Sequence, residues 1–310
     1  MAPIHSVLSL LLLFAATVLA SVPTSLRFDL SKPSYDLYRH KTLHDDTVQQ
    51  SFVFDNVNRR LFVAQRRNGA ADGAGNLCIT QLDFSGNQVG YMYINSFGHG
   101  VAIGAEAVGS STYLWTEVDP KSSGYGTRVA RFKFSNGATI SNSSSSVTKF
   151  SPISGATEYT CTTDPVHKRL IVRYQKSGAK HIAVFDLAAA AKGDFSNPLV
   201  NFPQPLPTTR GTRFQGYTAY GQYLYLLWGD SYTDSGGVLN SEVASVNMNT
   251  GEIKQGPLLT KAGSTLDFRE PEGLAIYETA AGQVRLFLGF ASGESGDRRS
   301  NLFYKNVTIT

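Results

Sequence analysis

The chain has 310 residues, of which 42% are hydrophobic and only 17% charged, with a formal net charge of +4. That apolar content supports a large core, and Lys and Arg scattered apart from short pairs such as Arg66-Arg67 and Arg298-Arg299 exclude the clustered basic face of a nucleic-acid binder. The 29 glycines and 15 tyrosines favour a turn-rich all-β protein over a helical one.

The first 20 residues read as a secretory leader. An apolar run from Leu8 to Ala16 precedes the small-residue segment Val18-Leu19-Ala20, after which cleavage would expose Ser21. The run is shorter than the ~20 residues of a membrane span, and no later stretch approaches one. The expected organisation is a signal peptide over 1–20 and one domain over 21–310, secreted, extracellular and monomeric. Sequons at Asn142 and Asn306 suit that route, with Asn142 favoured because it lies in a serine-rich stretch. The two cysteines, Cys78 and Cys161, fall on an outer and an inner strand of different units, which predicts unbridged buried thiols.

Taken in order, Ser25 to Leu30 alternates as a strand that Pro33 ends, and Leu37 to Leu43 leads toward Gln50. The first unit then has strands over 51–55, 60–65 and 77–82, with a turn at 85–87 and a further strand after it. The second unit places Val101 to Ile103 first, then 112–117 and 129–134. The third has 158–162, 169–174 and 181–187, the fourth 217–220, 222–228 and 243–247, and the fifth 274–277, 284–290 and 301–305. One helical turn is expected, over 187–192.

Each unit opens on a polar residue: Gln50, His99, Glu158, Gln215 and Glu272, at separations of 49, 59, 57 and 57 residues. A repeat near 57 residues with three or four strands per unit predicts an all-β, five-bladed β-propeller. The fifth unit shows three strands, so the N-terminal strand over 25–30 is expected to complete the last blade and close the ring.

The first strand of each propeller blade lines the axis, which brings these five residues to one rim, with Arg213, Arg269 and Glu270 beside them. The mixture of carboxylates, amides, arginines and an imidazole suits a hydroxyl-rich ligand, with Trp115, Tyr159, Tyr217, Trp228 and Tyr232 as candidate stacking faces. The competing readings are a purely structural ring around a water-filled channel, a hydrolase using Glu158 opposite Glu272, and a lyase with His99 or Tyr159 as base and Arg173, Arg213 or Arg269 neutralising an acidic sugar. No spacing marks a transition-metal site; a calcium ion held by carboxylates and carbonyls is the more plausible cofactor.

Several motifs add a family resemblance. Thr47 to Phe52, Leu77-Cys78-Ile79-Thr80, Phe97-Gly98-His99-Gly100-Val101, Tyr113 to Glu117, Phe214-Gln215-Gly216-Tyr217, Arg269-Glu270-Pro271-Glu272-Gly273 and Gly289 to Gly293 resemble the propeller domain shared by staphylococcal-phage receptor-binding proteins and bacterial proteins labelled teichoic acid biosynthesis protein C. The resemblance covers nearly all of the chain after the leader. It implies five blades and, for the phage members, binding of cell-wall teichoic acid or its sugar decoration. The expected unit here is the propeller without a phage stem, and the sequons imply a fungus-like secreted context.

Overall fold

A computed structural model describes residues 21–71, 73–205 and 211–310; the expected leader lies outside them. Two short N-terminal strands, β1 (Arg27–Phe28) and β2 (Tyr35–Thr42), precede the first blade. That blade comprises β3 (Gln49–Asp55), β4 (Arg60–Arg66), β5 (Leu77–Leu82) and β6 (Gln88–Asn95). The second comprises β7 (Gly104–Val108), β8 (Ser111–Pro120) and β9 (Gly126–Lys133), followed by β10 (Thr139–Ser141), which runs parallel to β6, and β11 (Thr148–Phe150), which pairs with β9.

The third blade holds β12 (Thr157–Asp164), β13 (Arg169–Lys176), β14 (Ala179–Asp186) and, beyond the single-turn helix α1 (Leu187–Ala191), β15 (Val200–Pro203). The fourth holds β16 (Phe214–Tyr220), β17 (Tyr223–Trp228), β18 (Glu242–Asn247) and β19 (Ile253–Leu259). The fifth holds β20 (Glu270–Glu278), β21 (Val284–Ser292) and β22 (Arg299–Lys305), and the chain finishes with β23 (Thr308–Ile309). One bridge, Tyr159 to Gly126, joins the sheets of blades two and three.

The hydrophobic core is divided among five seams between neighbouring blades. Alternation along the middle strands explains how the sequence builds them. In β4, Leu61 and Val63 pack toward blade five while Phe62 and Ala64 pack toward blade two. In β17, Leu224 and Leu226 face blade three while Tyr225 and Leu227 face blade five. Both faces of such a strand are buried, so it reads as a nearly continuous apolar run. The seam between blades five and one unites Phe287 and Tyr277 with Phe52, Phe54 and Leu61, and the first strands contact one another in the cyclic order β3, β7, β12, β16, β20 and back to β3.

Two expectations need correction. The outer strand of the last blade is β2, paired with β22 from Tyr35–Tyr304 to Thr42–Arg299, and not the stretch over 25–30. That earlier stretch makes only the two-residue ladder of β1 with β23, and its Phe28 and Leu30 sink into the seam between blades four and five. A two-residue ladder cannot cover the seven-residue edge of β22, whereas the longer segment after Pro33 can. In the second blade the first strand begins at Gly104, three residues beyond the expected start at Val101. The cysteines are free and buried, as expected.

Candidate functional site

Pairing irregularities shape the rim. The ladder with the neighbouring strand slips between Gln49 and Ser51 in β3, Thr157 and Thr160 in β12, Phe214 and Gly216 in β16, and Pro271 and Leu274 in β20. A bulge breaks strict alternation and re-aims side chains. The four slips coincide with Gln50, Glu158, Gln215 and Glu272. Glycines sit at two of them: a Cβ on Gly216 would stand 2.8 Å from the Cα of Gly273, and one on Gly273 3.1 Å from that of Ser51, so the first strands of blades four, five and one pack backbone to backbone.

His99 reaches the rim differently, from a loop ahead of β7. The buried carboxylate of Glu117 on β8 accepts the backbone N–H of Gly100 at 2.9 Å, of Gly126 at 2.6 Å, and of His99 itself. Burial is the largest influence on Glu117 and pushes its pKa up to about 7, against the three N–H donors that favour the anion. His99 then stacks on Tyr125, ring centroids 5.7 Å apart.

These elements enclose a cavity of about 700 Å³ at the mouth of the ring. Six predicted residues line it: Gln50, His99, Arg213, Gln215, Glu270 and Glu272. Tyr125 and Phe214 provide aromatic surface, Arg66 comes from the end of β4, and Asn68 and Arg298 arrive from loops.

Two predicted residues stand outside the lining. Glu158 is held by Lys180 and by Lys121 at 3.6 Å, and the Lys180 hydrogen bond holds its pKa below the usual carboxylate range. Arg269 is fully buried and turned away from the mouth. Its guanidinium donates to the carbonyls of Thr260 (2.9 Å) and Ala262 (3.1 and 2.9 Å) and to Ser241 Oγ (2.8 Å). Phe268 and Arg269 both adopt left-handed φ values, 52° and 40°, a costly turn that precedes the delivery of Glu270 and Glu272 to the cavity.

The cavity is electrostatically lopsided. Glu272 is 4% exposed and makes no side-chain hydrogen bond or ion pair among the described residues; burial, then the neighbouring Glu270, pushes its pKa well up. Glu270 is also raised, chiefly by burial, although Arg213 Nη1 lies 3.9 Å from its Oε1. Arg213 is shared with Asp234 at 2.7 Å. A carboxyl donates when protonated and accepts when ionised, so the adjacent pair can meet hydroxyls in either role.

Four of the five candidate stacking aromatics, Trp115, Tyr159, Tyr217 and Trp228, are buried core residues. The Tyr159 hydroxyl donates to the Ile153 carbonyl at 2.7 Å. Arg173 is buried with its guanidinium 3.9 Å over the Phe214 ring and its Nε on Gln204. Sequence reasoning missed Glu117 and Tyr125. A lone glutamate at the end of the apolar run Tyr113 to Thr116 was the available signal for the first; a tyrosine in a glycine-bearing loop carries none. No group of three or more His, Cys, Asp or Glu among the described residues is placed to hold a metal ion. The Asn142 amide that a glycan would occupy donates to Asp119 at 2.8 Å, whereas Asn306 sits half-buried between β22 and β23.

Residues 48–304 match the phage 5-bladed beta propeller receptor binding platform domain. The chain belongs to that family. A Bacillus subtilis (strain 168) protein named as a major teichoic acid biosynthesis protein C is 28% identical to this platform propeller over 288 residues, covering 89% of this chain and 63% of that protein. The tail fiber of Staphylococcus aureus phage P68 superposes with a TM-score of 0.71 at 20% identity, covering 90% of this chain and 54% of the fiber. The platform propeller thus spans less than two thirds of the length of either relative. No helix among the described residues is long and apolar enough to cross a membrane.

Proposed function

We propose that this platform propeller binds a carbohydrate or polyol-type cell-wall polymer at the mouth of its central cavity. The observation that carries the reading is the convergence of Gln50, His99, Gln215 and Glu272, from four blades, on one cavity. Gln50, Gln215, Glu270 and Glu272 supply hydrogen bonds to hydroxyls, His99 with Tyr125 supplies a ring face, and Arg213 attracts any acidic substituent. The family's receptor-binding designation and the teichoic acid in the relative's name support a cell-surface polymer. The same reading has the chain exported by the leader over 1–20 and acting outside the cell as a monomer, with calcium as an optional bridge to ligand oxygens.

A catalytic reading has one observation in its favour, the raised pKa of Glu272 beside Glu270, which suits a general acid. One experiment separates the two: a glycan array and wall teichoic acid purified from Bacillus subtilis, each with and without calcium, followed by product analysis. Retention of intact polymer by the wild type is expected. New reducing ends or unsaturated products would replace the binding function with an enzymatic one, and no retention of any glycan would reject both.

A further inference from the structure

A second cavity, of about 450 Å³, adjoins the first and shares Arg66 and His99 with it. It lies along the seam between the first two blades, walled on one side by Ala70, Ala71, Gly73 and Asn76 and on the other by Ser122, Ser123 and Gly124. Four of its lining residues are glycines, Gly73, Gly75, Gly98 and Gly124, set beside Ala70, Ala71, Asn76 and Leu77. A Cβ on Gly75 would stand 2.8 Å from the Gly98 nitrogen, and one on Gly98 would collide with the Glu117 side chain. Gly73, Gly75 and Gly124 hold φ of 74°, 68° and 82°, where other residues are strained. The buried Glu117 accepts the backbone N–H of His99 and of the next residue, Gly100, and so anchors one end of this lining to the fold.

Closed small-molecule pockets are mostly apolar and enclose the ligand. This trough instead presents backbone, the exposed hydroxyl-bearing Ser122 and Ser123, and the polar side chains of Arg66 and His99 at its junction with the central cavity. Two adjoining cavities that share Arg66 and His99 fit successive units of one chain. Resting on the glycan-binding reading above, we propose that the ligand is a linear, unbranched hydroxylated polymer held at two adjoining subsites. One repeat unit occupies the central cavity against Gln50, Gln215 and Glu272. The following units pass His99 and lie along the glycine trough between blades one and two. Units tethered to a bound neighbour engage the trough at high effective concentration, so affinity rises with chain length.

The test is a competition titration with Bacillus subtilis wall teichoic acid fractionated by length, from single repeat units to long chains, on the wild type, Ser122→Trp, Ser123→Phe and Glu272→Ala. The wild type should hold long chains at least about tenfold more tightly than single units. Either bulky substitution, on an exposed wall, should fill the trough and abolish that length dependence while leaving single-unit affinity within about twofold; two positions guard against one that misfolds. Glu272→Ala should weaken every length. Length-independent affinity in the wild type, or length dependence that survives both bulky variants, overturns the two-subsite arrangement alone. Failure of the wild type to bind any fraction overturns the teichoic-acid form of the glycan reading, and the trough proposal with it.

Discussion

Glu158 and Glu272 hold the same place in two blades, each at a bulge where the first strand meets the rim, yet their surroundings treat them oppositely. Lys180 from β14 and Lys121 from the loop before β9 neutralise Glu158 and hold its pKa down. Glu272 is buried beside a second carboxylate, with no cation in contact among the described residues, and its pKa rises. The bulge delivers a polar side chain to the rim in both cases; whether its hydrogen-bonding capacity remains open is decided by what the neighbouring strands bring. Glu158 spends its oxygens on ion pairs, and Glu272 keeps the hydrogen-bonding capacity on which the glycan-binding proposal rests.

A third glutamate sharpens this contrast most strongly. Glu117 is a buried scaffold carboxylate that holds backbone N–H groups instead of lysines. Replacing it with Ala leaves the Gly100 and Gly126 N–H groups buried without their acceptor, which costs about 1–3 kcal/mol apiece less the relief of burying a charge. We expect Glu117→Ala to lower unfolding stability by about 2–4 kcal/mol in urea titrations and to weaken glycan binding by loosening His99. A change below about 0.5 kcal/mol would remove Glu117 from the scaffold.

Next in size is a pH effect that separates Glu272 from Glu158. An unfolded chain releases the Glu272 proton near pH 4.3, whereas the folded protein retains it to higher pH. Above pH 4.3 the folded state therefore binds more protons than the unfolded state, and stability falls as pH rises toward the folded pKa. The depressed pKa of Glu158 has the opposite sign: its contribution is present above the unfolded pKa and is lost as pH falls through the folded one. Urea midpoints for the wild type and Glu272→Gln at pH 5 and pH 8 should show a smaller decline in the variant. Equal declines would mean that Glu272 is ionised in the folded protein.

Much of this organisation was legible in the sequence. The polar residue opening each repeat placed Gln50, His99, Gln215 and Glu272 on one rim, because position in a propeller repeat fixes distance from the axis whatever the intervening loops do. Arg269 was misjudged for a local reason: the left-handed pair Phe268-Arg269 turns its side chain into the 260–262 carbonyls, and sequence pattern does not reveal such a turn. The partners of Glu158 come from β14 and the loop before β9, contacts no spacing rule supplies. The outer strand of the last blade is expected one segment too early because Ser25 to Leu30 alternates well, while Tyr35 to Thr42 has the length and register to cover β22.

The most direct test of the account is the affinity for purified Bacillus subtilis wall teichoic acid of Glu272→Ala and Glu158→Ala measured side by side with the wild type. Removal of the open carboxyl should weaken binding by at least about 30-fold, the loss of roughly 2 kcal/mol of hydrogen bonding, and removal of the lysine-held one by less than about threefold. Equal losses in the two variants, or a larger loss from Glu158→Ala, would contradict the assignment of Glu272 as the residue around which the site is built.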